Sequence, residues 1–345
     1  MMNYNTKNEL LKKQYEAYLA MNQRLSQKSV DSKIADLRKY EVFTDFKNFA
    51  TFNEKQGTAF REHYKQVKNQ QGEQMDYATV WRTLRNVHDF FMWLSEQQGY
   101  KKKINRAHLR VFNLSMKEEN IAKRKNFTDA PTIEQVNKAL ENMATVTPFE
   151  KRNRAIIAFT LLTGVRVEAL ISLRLGDVDE YRHIVRQNPK HVKTKFSKMI
   201  VTQFFPVGET ATRIVLDWVK CLKEEEAFKG TAPLFPAMQS EYEEATQGFK
   251  TESLSKRHIA STQTARAAFK EAFEAAGQPY FNPHSFRNTI TQLGERICQT
   301  PEQFKAWSQN LGHSSPLTTF NSYGEVHYQK QCDLIKVLCE STLKG

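Results

Sequence analysis

Apolar side chains repeat at helical intervals in the first third of the chain, and this periodicity restricts the folds open to it. One face of a helix ending near Gly99 is predicted by residues spaced alternately four and three apart: Val80, Leu84, Val87, Phe91 and Leu94. The spacing of Leu11, Tyr15 and Tyr18 indicates an earlier helix of the same kind. We expect these aromatic rings to pack in the core of a small helical domain.

The apolar periodicity gives way to basic residues between positions 101 and 125. This stretch contains nine basic residues and only two acidic ones, Glu118 and Glu119. Beyond this stretch, Thr132 followed by Gln135 has the spacing of a capping box, which indicates that a new helix begins there. A chain of 345 residues is long enough for two domains. We therefore predict a helical domain over residues 1–115, a linker over 116–130 and a second domain over 131–345.

The second domain combines helical tracts with one stretch typical of strands. Residues 152–178 are typical of two helices broken at Thr163 and Gly164, and three further helical tracts follow after residue 262. Residues 191–208 are rich in β-branched and aromatic side chains, which predicts a strand pair or hairpin. The expected fold class is mainly α, with an α+β second domain that carries a small antiparallel sheet.

Basic residues outnumber acidic residues by 51 to 38, which gives a formal net charge of +13. An excess of this size favours a polyanionic partner, most commonly nucleic acid, although charge alone also fits an ordinary basic enzyme. Neither a signal-peptide core nor a run of roughly 18 apolar residues is present, so we expect no membrane association and a cytoplasmic protein.

The cysteines show no metal-ligand or disulfide spacing: Cys221, Cys298, Cys332 and Cys339. Asp177 and Asp179 could suggest a metal site, but a turn or cap role explains that pair better. A phosphate-binding GxxxxGK motif is also missing. We expect neither a bound metal nor another cofactor.

Breaking DNA without a metal requires a nucleophile, positive charge against the phosphate and a proton for the leaving oxygen. Arg166 follows the break at Gly164, and His284 and Arg287 are three residues apart, so that both project from one helix face. His313 follows a further capped helix, and Tyr323 lies ten residues beyond it.

Four segments of the second domain resemble the catalytic boxes of the tyrosine recombinase (phage integrase) family. In chain order they are TGVRVEALISL, PHSFRNT, LGHSSPLTTF and SYG. HxxR alone occurs by chance in many proteins, whereas four boxes in this order are a specific signal. The resemblance covers residues 130 to 330, and the helical first third is similar to the family's core-binding domain.

The resemblance implies a role for each matching residue. Arg166 and Arg287 would bind the non-bridging oxygens of the scissile phosphate, for which the planar, always charged guanidinium is suited. His284 would accept or share the proton of the nucleophile Tyr323, and His313 would donate a hydrogen bond to the phosphate. Cleavage would then form a 3′-phosphotyrosine link.

The family also places a lysine on a β-hairpin between the first arginine and HxxR, where it protonates the departing 5′ oxygen. Lys193, Lys195 and Lys198 are the candidates here. If the hairpin turn falls at Phe196 and Ser197, Lys195 closes the first strand nearest the tip, and we prefer it for this reason.

The sequence departs from the family pattern in two places. The family commonly has an acidic residue three positions after the first arginine, where this chain has Ala169, with Glu168 one position earlier. The tract from His313 to Tyr323 is one residue longer than the commonest form, which leaves Tyr328 and Tyr280 as alternative nucleophiles. Tyr280 precedes HxxR, and we expect it to pack.

By resemblance, the partners are double-stranded DNA sites and three further copies of the chain in a tetramer on DNA, serving a mobile element with an accessory DNA-bending or directionality factor. Contacts to the DNA are expected from basic residues near the linker: Lys101, Lys102, Lys103, Arg106, Lys123, Arg124 and Lys125. The alternatives are a type IB topoisomerase with the same chemistry and an inactive DNA-binding protein of the same fold.

Overall fold

The computed structural model describes residues 4–124, 129–243 and 248–313, together with Cys332, and it describes side chains outside 240–252. The chain divides into two compact units, residues 1–125 and 126–345. No helix in these described ranges is long and apolar enough to cross a lipid bilayer.

The first unit is built from helices that begin at side-chain caps, since Asn5, Ser26, Asn53, Asp76 and Ser115 each accept a backbone N–H of the first turn. The helices are α1 Thr6–Met21, α2 Gln27–Phe43, α3 Glu54–Gln66, α4 Tyr77–Leu94 and α5 Met116–Lys123. α1 and α4 confirm the two helices predicted from apolar periodicity.

Aromatic rings fill the core of this unit. Phe91 of α4 is fully buried, and its ring lies 5.2 Å from Tyr40 and 5.9 Å from Phe112, measured between ring centroids. Tyr15 of α1 is also buried and contacts Phe90 edge to face. The expectation that these aromatic residues pack in a core is confirmed.

The start of the expected linker is helical. Residues 116–123 form α5, which is opened by a capping box between Ser115 and Glu118, and Lys65 of α3 pairs with Glu118 at 2.9 Å. Ala122 is buried against the first unit. This unit therefore continues beyond residue 115, and the division of the chain falls after Lys125.

The second unit holds seven described α-helices. They are α6 Ile133–Asn142, α7 Pro148–Thr163, α8 Val167–Leu170, α9 Glu209–Lys220, α10 Thr262–Ala275, α11 Ser285–Ile297 and α12 Pro301–Asn310. The predicted capping box of Thr132 and Gln135 opens α6, and Pro301 lies in the first turn of α12 as predicted. α7 is buried along its last nine residues and forms the centre of the core.

α7 ends where the sequence predicted a break. Gly164 caps it in the left-handed region, with φ of 57°, a conformation that costs glycine little. A Cβ atom at this position would lie 2.8 Å from Leu311 and 3.1 Å from Ile290. Glycine is therefore required both by the turn and by the close approach of the chain segments that lead to Arg287 and His313.

The sheet is antiparallel, in the order β1, β2, β3, with β1 Val178–Asp179, β2 Ile184–Gln187 and β3 Ile200–Gln203. A separate hairpin pairs β4 Pro236–Glu243 with β5 Gly248–His258. The mainly helical fold with a small antiparallel sheet is confirmed. Asp177 and Asp179 have turn roles, since their carboxylates accept the N–H of Arg174 and of Arg182.

The predicted hairpin over residues 191–208 is wrong in its first strand. β2 ends at Gln187, and residues 188–199 form a loop that leads to β3. Of the expected strand pair over 191–208, only the second strand, β3, is present. Phe196 and Ser197 both have positive φ, 60° and 49°, which breaks an extended chain. The turn does fall at these two residues, but Lys195 opens the short 3-10 turn Lys195–Ser197 within the loop and does not close a strand.

Candidate active site

Arg166 lies in the short connection between α7 and α8. Its backbone is extended, with φ of −74° and ψ of 143°, and it holds the N-cap position of α8. The side chain is half-buried, and burial lowers the pKa of its guanidinium. Among the described residues it has no hydrogen-bond or ion-pair partner, so that its donors remain available to a ligand.

His284 and Arg287 lie at the start of α11. The Asn282 carboxamide oxygen accepts the backbone N–H of His284 at 2.9 Å and of Ser285 at 3.2 Å, which fixes this helix start. Arg287 follows one turn later and is 5% exposed. Its guanidinium donates to the carbonyl oxygens of Gly164 and, at 2.7 Å, of Leu311. Arg287 thereby ties the end of α7 to the segment after α12.

His313 follows Gly312, whose φ is 70°, at the end of α12. Its Nε2 atom lies 2.7 Å from Nη2 of Arg287. A guanidinium only donates hydrogen bonds, so this Nε2 must accept, and the imidazole is neutral with its proton on Nδ1. The pKa of His313 is accordingly lowered to about 4, first by burial and then by the positive charges of Arg287 and Arg166.

The same positive charges act on the other site residues. The pKa of His284 is lowered by burial, then by Arg287, Arg166 and Lys195. The pKa of Arg287 is lowered to about 9, first by burial and then by Arg166. The structure therefore brings Arg166, His284, Arg287 and His313 into one partly desolvated cationic site. Such a site is complementary to a phosphate.

A groove of about 750 Å³ opens beside these residues and is lined by Arg166, His284, Lys193 and Lys195, among others. Lys195 acts on the pKa of His284, whereas the charge of Lys193 acts on His258. The Lys195 ammonium lies 5.0 Å from the ring centroid of Phe196. Lys198 does not line the groove. Lys193 and Lys195 thus both line the groove, and of the three candidate lysines Lys195 is the one whose charge acts on His284.

Two tyrosine candidates, Tyr323 and Tyr328, lie outside the described residues. Tyr280, which we expected to pack, is 43% exposed and lines the groove. Ala169 is buried, while Glu168 lines the groove. The described ranges contain no group of three or more His, Cys, Asp or Glu side chains placed to hold a metal ion.

The basic residues expected to contact DNA differ in their surroundings. Lys101, Lys102 and Lys103 are exposed in the turn after α4. Arg106 pairs with Glu96 at 2.7 Å, and Lys123 pairs with Glu119 at 2.6 Å. Arg124 is exposed, and Lys125 lies outside the described residues. The three consecutive lysines and Arg124 are thus the exposed charges of this set that have no acidic partner among the described residues.

Sequence reasoning missed three residues that shape the site. The Asn282 side chain accepts the backbone N–H of His284 and Ser285 just before α11, the Ser172 hydroxyl joins α8 to Lys193, and His191 of the loop contacts Asp177. Asn before Pro-His is a usual cap signal and could have been recognised. Ser172 and His191 act through contacts between distant parts of the chain, which sequence spacing does not reveal.

A family model described as the phage integrase family matches residues 127–330. The chain therefore belongs to this family, the tyrosine recombinases, which are DNA strand-transferring enzymes.

Two of its similar relatives are recombinases of the XerC type. The Corynebacterium efficiens protein is 27% identical over 169 residues, 49% of this chain and 45% of its own length. The Corynebacterium glutamicum protein is 25% identical over 246 residues, 70% of this chain and 66% of its own length. This chain thus spans about half of the first relative and about two thirds of the second.

Solved structures share the fold. A lambda integrase tetramer bound to a Holliday junction superposes with a TM-score of 0.62 at 15% identity, covering 94% of this chain and 81% of the other. The Tn1549 transposon integrase, in complex with transposon right end DNA, gives a TM-score of 0.59 at 13% identity, covering 95% and 99%.

Proposed function

We propose that this chain is a site-specific recombinase that cleaves and rejoins double-stranded DNA through a 3′-phosphotyrosine intermediate. The convergence of Arg166, His284, Arg287 and His313 in one cationic, half-buried site carries this proposal. Family membership supports it, because strand transfer by a tyrosine is the chemistry of the tyrosine recombinases.

In the proposed reaction the two guanidiniums bind the non-bridging oxygens of the scissile phosphate. Attack by the hydroxyl oxygen of Tyr323 forms a pentacoordinate phosphorane with additional negative charge, which Arg166 and Arg287 stabilise. His284 is neutral beside these cations and can accept the tyrosine proton. Nδ1–H of His313 is the group that would donate to the phosphate, because its Nε2 accepts from Arg287.

Lys195 is the proposed general acid. The bond between phosphorus and the 5′ oxygen breaks as the phosphotyrosine bond forms, and the ammonium of Lys195 transfers a proton to the departing oxygen. Its place in the groove beside Arg166 and His284 supports this choice over Lys198. Bond energy is kept in the phosphotyrosine, so that religation needs no ATP.

Assembly and DNA contact are proposed from charge and fold. The lysines at 101–103 and Arg124 would neutralise backbone phosphates, since they are exposed and basic. A homo-tetramer on DNA is supported by the fold shared with a lambda integrase tetramer bound to a Holliday junction. An apolar C-terminal segment near residues 334–338, which lies outside the described residues, would dock on a neighbouring copy, and an accessory factor would set direction.

A recombination assay tests this function. The candidate sites are sought as short inverted repeats around a spacer in the DNA that flanks the chain's gene. We expect a supercoiled plasmid carrying two copies of such a site to yield deletion or inversion products in EDTA. A type IB topoisomerase would instead relax plasmids with or without the repeats, and an inactive DNA-binding protein would bind the repeats and leave the plasmid unchanged. Either of these outcomes would contradict the proposal.

The low pKa of His313 predicts proton uptake when DNA binds. In the free chain Nε2 of His313 accepts from Arg287 and the pKa of the imidazole is about 4. A bound phosphate that draws the Arg287 guanidinium to its own oxygens frees Nε2 and raises this pKa, so that the complex holds more protons than the free chain. Binding should therefore tighten as the pH falls through the raised pKa that His313 has in the complex, by at most about tenfold per unit for one proton. Calorimetry in buffers of different ionisation enthalpy, with a Tyr323→Phe background to prevent cleavage, measures the uptake.

His313→Gln should reduce this proton uptake. His183→Gln is the matched control, because His183 lies in the turn before β2, where its ring stacks on Phe204 outside the groove. Equal uptake by the parent chain and His313→Gln would show that another group takes the proton.

A further inference from the structure

Two contacts fix the base of the loop 188–199, which carries Lys195. Nε2 of His191 lies 2.8 Å from Oδ1 of Asp177, and the Asp177 side chain is only 9% exposed. One residue beyond the buried Val192, the backbone N–H of Lys193 donates to Oγ of Ser172 at 2.9 Å. The loop is therefore anchored up to residue 193.

Ser172 also belongs to the segment that carries Arg166. Its Oγ lies 3.0 Å from the carbonyl oxygen of Glu168 and 2.9 Å from that of Ala169, both in α8. α8 is a single turn whose N-cap is Arg166. One hydroxyl, itself in a residue only 8% exposed, thus joins the arginine segment to the lysine loop.

Beyond Lys193, whose backbone N–H is held by Ser172, the loop becomes exposed and tightly turned. Lys195 is exposed, and the next two residues, Phe196 and Ser197, have left-handed backbones. A lysine side chain with many rotamers is directed mainly by where its backbone is held. The distance from the Lys195 ammonium to a phosphate on Arg166 therefore depends on the Ser172 contact two residues away.

We propose that the Ser172 hydroxyl, supported by the pair of His191 and Asp177, is a positioning group for the lysine that protonates the leaving 5′ oxygen. This inference rests on the proposed function, in which Lys195 supplies that proton. Ser172 touches neither the DNA nor the reacting atoms. Its effect is confined to the step in which the bond between phosphorus and the leaving atom breaks.

Replacing the leaving oxygen by sulfur separates the effect of proton donation from every other effect on cleavage. When sulfur replaces the bridging 5′ oxygen of the scissile phosphate, the strand leaves as a thiolate, which needs no proton because its conjugate acid is far stronger than an alcohol. Cleavage of the oxygen substrate depends on the general acid, whereas cleavage of the sulfur substrate does not. The full chain is assayed on both substrates under single-turnover conditions.

We expect Ser172→Ala to cleave the oxygen substrate about tenfold more slowly than the parent chain, because its proton donor is misplaced. On the sulfur substrate its cleavage rate should stay within about twofold of the parent rate. His191→Gln should show the same selective defect. Ser255→Ala is the matched control, since Ser255 is also a buried serine of this unit, 5% exposed, and lies in β5 away from the groove. It should cleave both substrates as the parent does.

Lys195→Ala separates the inference from the proposed function. If sulfur rescues Lys195→Ala, Lys195 is the acid, and Ser172→Ala must then show the selective defect for the inference to stand. An equal loss on both substrates for Ser172→Ala would mean that the hydroxyl merely supports α8, and parent-like cleavage of both would mean that it has no positioning role. If sulfur fails to rescue Lys195→Ala, the proposed acid is wrong, and the inference falls with it.

Discussion

Tyr323→Phe should bind DNA with the affinity of the parent chain and form no covalent adduct. An unperturbed tyrosine has a pKa of about 10, so that its hydroxyl must lose a proton as it attacks the phosphate. Phenylalanine removes the nucleophilic oxygen and little else. A nicked substrate whose short 5′-OH fragment diffuses away traps the adduct of the parent chain in EDTA, and a denaturing gel measures it.

Tyr328→Phe is the control for this experiment, because Tyr328 is the neighbouring candidate on the same C-terminal tract. It should form the adduct at the parent rate, and peptide mapping should place the DNA on the peptide with Tyr323. An adduct on Tyr328 would mean that the longer tract after His313 has shifted the nucleophile. Cleavage that requires magnesium and leaves no adduct would refute the mechanism as a whole.

Arg166→Ala and Arg287→Ala should each slow cleavage by about a hundredfold or more, because each removes a donor that stabilises the charge of the phosphorane. The structure predicts that they differ in stability. Arg287 donates to the buried carbonyl oxygens of Gly164 and Leu311, and unpaired buried acceptors cost about 1–3 kcal/mol each. Arg166 has no such protein contacts within the part of the chain that the structure describes.

Single-turnover cleavage and thermal unfolding of the two variants are therefore measured together. Arg287→Ala should lose both activity and several degrees of Tm, whereas Arg166→Ala should lose activity and keep or slightly raise its Tm. Arg186→Ala is the control, since Arg186 of β2 is exposed and pairs weakly with Asp179 at 3.5 Å. Cleavage by Arg166→Ala at the parent rate would remove this residue from the phosphate site.

The elements that the sequence predicted correctly are those whose signals are local. Gly164 marks the end of α7 because its left-handed backbone is a property of that one residue. Thr132 and Gln135 mark the start of α6 because both partners of the capping box lie in one turn. The predicted site residues Arg166, His284, Arg287 and His313 lie together, and the order of the boxes was enough to find them.

The features that sequence reasoning missed depend on contacts between distant segments. The apolar and β-branched residues after His191 are typical of a strand, yet Val192 is buried in the core of the unit as part of a loop. The position of Lys195 therefore could not follow from strand alternation. Likewise, no local pattern shows that Arg287 binds the carbonyl oxygens of Gly164 and Leu311, which lie 123 and 24 residues away. The role of Tyr323 stays a prediction.

The clustering of Arg166 and Arg287 implies a trade-off between stability and activity. Within the described ranges neither guanidinium is ion-paired, and each lies partly or fully out of water beside the other, an arrangement that disfavours the folded state when no phosphate is bound. Selection for thermal stability alone would replace Arg166 by an apolar residue, since Arg287 also satisfies the buried carbonyl oxygens of Gly164 and Leu311. Their joint presence is a stability cost retained for function, and the DNA substrate relieves it by supplying the missing counter-charge.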